Sequence, residues 1–188
     1  MPTDLAAAQN AIAAKTAADS ITLLRNGDST LLLASGTGKK ILVTGWGSGT
    51  TQTLTTSIAT HGVATQRVYT GSAPNAKVVA AAVSAATNSD EVVVTTNNAW
   101  GDTGQQNLVS SLIATGKPVV VVALGGPYDL AYTPTATTFV AAYGYQNVTL
   151  TALVNTLFGT PPRGHLPVTV RTDDSSGVVA TFGTGMTY

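Results

Sequence analysis

At 188 residues the chain fits one domain, and charged side chains make up only 10% of it, against roughly 25% in an average domain. Nine basic residues balance nine acidic ones, and no basic cluster exceeds the pair Lys39–Lys40, so the electrostatic footprint of a nucleic-acid binder is absent. There is no cysteine, and His61 and His165 lie far apart, so the sequence supports neither a disulfide, a metal site nor a metal cofactor.

In chain order, residues 4–19 read as a helix, with Asp4 as N-cap and Leu5, Ala8, Ile12 and Ala14 or Ala18 as an apolar stripe. Asp4, Lys15 and Asp19 interrupt any secretory h-region, and the compartment is left open. Two strand-like runs, Ser20–Arg25 and Asp28–Ala34, flank Asn26-Gly27; this dipeptide is a strong hairpin signal because both turn positions need positive φ. Gly36-Thr-Gly38 then loosens the chain.

From residue 40 strands and helices alternate. Strands are expected at 40–44, 67–70, 91–96, 118–124 and 139–143, with a last one at 166–171. Helices are expected at 51–61, 75–86, 103–115 and 148–157. Val92-Val-Val94 and Val119-Val-Val-Val122 are continuous β-branched runs, as in parallel strands covered on both faces. The longest such run, Val119–Leu124, is far short of a membrane span. The pattern predicts an α/β fold. Its form is a three-layer α/β/α sandwich with a mostly parallel, doubly wound sheet of five or six strands, plus a small N-terminal hairpin. All of it forms one domain: helix and hairpin at 1–38, core at 39–172, and a tail at 173–188 with Ser175-Ser-Gly177 as a loop.

In open parallel sheets ligands bind beyond the carboxyl ends of the strands, where three loops stand out. Gly45-Trp46-Gly47-Ser48-Gly49-Thr50 lacks the third glycine of a dinucleotide fingerprint and the lysine of a P-loop, so a tight strand-to-helix turn is the simpler reading. Asn97-Asn98-Ala99-Trp100-Gly101-Asp102 combines two amides, an indole and a carboxylate, a set suited to sugars. The plain structural alternative is that Asp102 or Thr103 caps the next helix and Trp100 packs against a neighbour. In Gly125-Gly126-Pro127-Tyr128-Asp129 the glycines permit close backbone approach, and Tyr128 can face a ligand or partner. No G-x-S-x-G elbow occurs, and His61 ends a helix, where it reads as a cap or surface residue. Of the nine acids only Asp102 and Asp129 fall at the expected face, too few for glycoside hydrolysis by two carboxyl groups.

Several segments, taken in order, resemble one family. Ala17-Ala-Asp-Ser20-Ile-Thr-Leu-Leu-Arg25-Asn26, Gly104-Gln-Gln106 with Leu108, Thr115-Gly-Lys-Pro-Val119, Pro127-Tyr128-Asp129-Leu130, Leu157-Phe-Gly159 and Pro162-Arg-Gly-His-Leu-Pro-Val168 are similar to the C-terminal domain of family 3 glycoside hydrolases. The branch most similar is the bacterial β-N-acetylhexosaminidases. Leu31-Leu-Leu33 departs from the pattern, standing where the family usually has a proline.

The resemblance implies an α/β sandwich preceded by a TIM-like barrel that carries the nucleophilic aspartate and, in the hexosaminidase branch, a histidine-containing acid/base loop. Neither has a matching position here. In the β-glucosidase branch this domain supplies a glutamate acid/base. The corresponding stretch, roughly 95–104, has no glutamate, which leaves Asp102 as the runner-up catalyst. The implied role is an accessory domain that buttresses the barrel and shapes the cleft for a β-linked sugar or N-acetylglucosamine-containing glycan. Trp46, Asn97, Asn98, Trp100, Asp102, Gly125, Gly126 and Tyr128 are its candidate substrate-binding or interface residues. Two alternatives stay open: an independent carbohydrate-binding module using Trp46 and Trp100, and a nucleotide-binding α/β domain.

Overall fold

The computed structural model describes residues 3–27 and 29–188, with side chains from Leu5 onward. The cap expected from Asp4, and Asp28 at the start of the second hairpin run, lie outside these described parts. Six strands form one sheet: β1 (Thr22–Asn26), β2 (Lys40–Gly45), β3 (Ala64–Tyr69), β4 (Glu91–Thr96), β5 (Val119–Ala123) and β6 (Thr138–Ala141). Their order is β1-β6-β5-β4-β2-β3; all neighbouring pairs are parallel except the antiparallel β1–β6 edge.

Helices α1 (Thr3–Ser20), α2 (Ser48–Ala59) and α6 (Asn147–Leu157) lie on one face, and α3 (Ala76–Thr87) and α4 (Thr103–Ile113) on the other. Strand alternation supplies both cores from single runs. Val93 faces Leu54, Ile58 and Leu153, while Val92 and Val94 face Ala82, Ala86, Leu108 and Leu112. Burying each such Val or Leu contributes ~1.5–3 kcal/mol, so the sheet is held from both sides. Asn75 caps α3 by accepting from the Val78 amide, and Asp102 caps α4 by accepting from that of Gln105. Among the described residues no helix is long and apolar enough to cross a membrane.

Three expectations need correction. First, among the described residues no strand pairs back on β1 across Asn26-Gly27. The Gly27 amide instead donates to Thr137 O, which keeps the chain along β6. Leu31 and Leu33 are buried beneath α6 without strand pairing, their amides bonded to Asn26 Oδ1 and Leu157 O. A local polar side chain and a helix end thus replace the ladder. The small two-stranded antiparallel hairpin lies at the other end of the chain, where β7 (Val170–Arg171) pairs with β8 (Val178–Ala180).

Second, β7 covers only the end of the strand expected at 166–171, and the residues after Asp173 are not a loose tail. Leu166 and the 183–184 stretch exchange backbone hydrogen bonds, and the Met186 amide donates to Leu23 O. Tyr188 Oη donates to Thr156 O or Thr160 O, both within reach. The C-terminal segment thereby bonds to β1, an edge strand that would otherwise invite foreign pairing.

Third, the apolar stripe of α1 does not face the core. Leu5 and Ile12 are exposed, and among the described side chains of the helix only Ala17 is buried. Alanine-rich composition sustains the helix by propensity, while its contacts are with α6.

Candidate functional site at the carboxyl edge of the sheet

The chain leaves β2 through α2 toward β3, on one side, and leaves β4 through α4 toward β5, on the other. The crevice between the carboxyl ends of β2 and β4 is therefore the switch point of the sheet, where ligands of open α/β folds gather. Because β2, β4 and β5 are parallel and in register, the loops 45–50, 97–102 and 125–129 all emerge at this edge.

The first loop is stapled to β4. The Trp46 amide donates to Thr95 O, and Thr95 Oγ1 lies 2.8 Å from Trp46 O. Trp46 is half-buried against the α2–α6 core, and its ring meets that of Tyr145 at 5.4 Å and 55°. The turn begins α2 without a phosphate-type signature. Thr50 is buried, and Arg67 binds Ser48 and Thr51 of the first helical turn.

The second loop is held mainly by residues that its own composition does not announce. Gln105, itself buried, accepts from the Asn97 amide through Oε1, and its Nε2 donates to Ser72 O and Asn97 O. Gln106 Nε2 donates to Ala99 O. Both glutamines belong to the Gly104-Gln-Gln106 segment, so the only sequence signal for them was the family resemblance. Asn97 is thus a structural member of the turn, and Asp102 has its carboxylate on the Gln105 amide at 2.7 Å as a helix cap. A short 3-10 turn (Ala99–Gly101) follows Asn98, which sits in the left-handed region at φ 55°. Gly125 comes so close to the side chains of Asn97 and Asn98 that a β-carbon would collide with them, which is why the third loop can pack onto the second.

A cavity of about 560 Å³ opens beside these two loops. Asn98, Trp100, Gly125, Gly126 and Tyr128 line one side; Thr169, Arg171, Thr172, Asp173 and Ser175 line the other. Trp100 is 54% exposed and Tyr128 49%. Of the eight residues singled out from sequence, five share this cavity, whereas Trp46, Asn97 and Asp102 are not among its walls. The opposite wall at 169–175 spans the end of an expected strand and the tail, and no motif in it points to a site. Asp174 fastens that wall. Hydrogen bonds from the Thr172 hydroxyl and from the backbone and hydroxyl of Ser176 hold its carboxyl at about 2, so it stays ionised at ordinary pH.

Beneath the cavity Asp129, the first residue of α5 (Asp129–Tyr132), is 1% exposed and receives the Thr96 hydroxyl at 2.7 Å. Burial pushes its carboxyl above the usual range, against the pull of Thr96 and the Trp100 and Ala99 amides. His61 stacks flat on Phe158 at 3.8 Å, a packing contact at the end of α2. Among the described residues no three acids or histidines converge as a metal site.

Comparison with known proteins follows the same line. No curated protein matches the chain. A family 3 β-N-acetylglucosaminidase from Paenibacillus sp. superposes with a TM-score of 0.73 at 27% identity, covering 82% of this chain and 31% of the other. A β-glucosidase from Listeria innocua gives 0.76 at 18% identity over 93% and 33%. A family 3 exo-β-xylosidase gives 0.79 at 20% over 98% and 32%. The chain therefore spans about a third of the length of the solved enzymes it resembles. Residues 21–187 match the family described as Glycosyl hydrolase family 3 C-terminal domain, and the chain belongs to that family.

Proposed function

We propose that this domain works beside a separate catalytic barrel of a family 3 glycosidase, as a single accessory unit, and that its carboxyl edge forms one wall of the sugar cleft. The observation that carries this is the pair of half-exposed rings, Trp100 and Tyr128, on a 560 Å³ cavity that also offers the Asn98 amide. Apolar faces with a few fixed polar groups are what pyranose rings bind. A β-linked, N-acetylglucosamine-containing glycan is the favoured ligand, since identity is higher to the β-N-acetylglucosaminidase, at 27%, than to the β-glucosidase, at 18%. The exposed Leu5 and Ile12 of α1 favour a partner surface there, because solvated apolar side chains gain by being covered. The same rings would serve an independent carbohydrate-binding module, which differs in needing no partner for tight binding.

The test is tryptophan fluorescence during titration with β-linked N-acetylglucosamine oligosaccharides and, separately, with glucose oligosaccharides. One wall of a cleft should bind weakly, on the order of 1 mM, or about −4 kcal/mol. Trp100→Ala should weaken that by ~1–3 kcal/mol, as removal of an aromatic hot spot does, while leaving the melting temperature nearly unchanged. No saturable response to any of these sugars would contradict the sugar-wall reading. A preference for glucose oligosaccharides would contradict the N-acetylglucosamine assignment.

A further inference from the structure

We propose that Arg171 and Asp173 are the specificity-determining pair of the cavity: a cation and an anion, not bonded to each other, that together read neighbouring oxygen substituents of an uncharged pyranose. The inference rests on the sugar-wall function proposed above.

Strand alternation builds this wall. Val168 and Val170 turn to the core, whereas Thr169, Arg171 and Asp173 line the cavity. Beyond Arg171 the chain turns and returns as β8, and hydrogen bonds within the turn fix its shape. The Thr172 hydroxyl and the amide and hydroxyl of Ser176 donate to the Asp174 carboxylate, and the Gly177 amide donates to Thr172 Oγ1. Asp174 is thus spent on the turn, and Asp173 is not. Its Oδ1 accepts the Asp174 amide at 2.9 Å, which leaves Oδ2 for another donor.

Arg171 and Asp173 are the two charged residues among those lining the cavity. Ion pairs among the described residues join Asp19 to Lys15 and Arg163, and Asp90 to Lys39. The guanidinium hydrogen bonds belong to Arg25 and Arg67. A solvated arginine is ordinary on an open surface, but this one shares a cavity with two half-exposed rings, Trp100 and Tyr128. Arginine offers donors alone and a carboxylate acceptors alone. A hydroxyl is both, so two adjacent hydroxyls, or a hydroxyl and an acetamide carbonyl, satisfy the pair at once. An acidic ligand would gain Arg171 but meet Asp173 and its neighbour Asp174, which is ionised with a pKa of about 2. A cationic ligand would meet Arg171. The pair therefore selects neutral sugars.

The experiment compares a β-linked N-acetylglucosamine disaccharide with a β-linked glucuronate disaccharide, followed by tryptophan fluorescence. The parent should prefer the neutral sugar. Arg171→Gln should weaken binding of both, the neutral one by ~5–20-fold. Asp173→Asn keeps the oxygen that accepts the Asp174 amide, so the turn stays intact and the melting temperature unchanged. It should weaken the neutral sugar by ~5–20-fold and tighten the glucuronate, and high salt should erase that gain. A purely structural role would not produce a gain for an acidic sugar. Lys77→Gln, which removes a cation on α3 away from the cavity, should change neither affinity. The proposal is overturned, with the sugar wall left standing, if the parent binds the neutral sugar and Arg171→Gln and Asp173→Asn bind it equally well. It is likewise overturned if the parent prefers glucuronate, or if Asp173→Asn gains nothing for it. A parent that binds neither sugar removes the sugar wall and this pair together.

Discussion

A pure preparation of the 188-residue chain will leave aryl β-N-acetylglucosaminides and aryl β-glucosides unhydrolysed above background. Glycoside hydrolysis needs two carboxyl groups roughly 5–10 Å apart across the scissile bond. Asp4 and Asp28 lie outside the described side chains. Asp19 is paired with Lys15 and Arg163. Asp90 receives the Lys40 amide and Glu91 that of Ala34, both at the amino end of β4 and so at the far edge of the sheet. Asp102 caps α4, Asp129 is buried, and Asp174 holds its own loop. Asp173 is the one carboxylate among the cavity's lining residues, and a single carboxyl group does not make a glycosidase. Turnover that is abolished by Asp173→Asn or Asp102→Asn would overturn this account and make that residue a catalyst.

The largest loss of stability is expected from Gly45→Ala. Gly45 ends β2 with φ 111°, a conformation that a side chain rarely adopts. An added β-carbon would also stand 2.7 Å from Thr95 N and closer still to Thr95 O, on the strand next to it in the centre of the sheet. Backbone strain and overpacking each cost ~1–3 kcal/mol, so the sum is about 2–6 kcal/mol. Against a total stability of roughly 5–15 kcal/mol, that lowers the melting temperature by ~5–20 °C. Gly49→Ala is the matched control. It lies in the first turn of α2 at ordinary φ with open space around it, and alanine there should be neutral or stabilising by ~0.5–1 kcal/mol. Calorimetry on both variants checks the pair. A Gly45→Ala protein that melts within a degree or two of the parent would contradict the geometry at the switch point.

The parallel core was legible because it obeys period rules. Glu91–Thr96 and Val119–Ala123 are doubly covered strands, and their β-branched runs announce that directly. Asn26-Gly27 misled because a turn signal is local, whereas the Thr137 carbonyl that captures the Gly27 amide lies 110 residues away. β8 and the return of Met186 to Leu23 were invisible for the same reason. Loop position and residue type point to Asn98, Trp100, Gly125, Gly126 and Tyr128, and these five line one cavity. The opposite wall at 169–175 depends on where the C-terminal segment folds back, which no local pattern encodes. Trp46 shows the limit of reading an indole from sequence: its loop emerges at the expected edge, but the ring turns to the helix face to meet Tyr145.

Amide chemical-shift mapping on the ¹⁵N-labelled chain, titrated with a β-linked N-acetylglucosamine disaccharide, tests the central claim most directly. If the carboxyl edge is the sugar wall, the amides of Asn98, Trp100, Gly126, Tyr128 and Thr172 shift together along one saturable curve. Shifts confined to the groove between α3 and α4, where Pro74, Val79, Val83 and Ala114 line a second cavity, or no shifts at all, would contradict it.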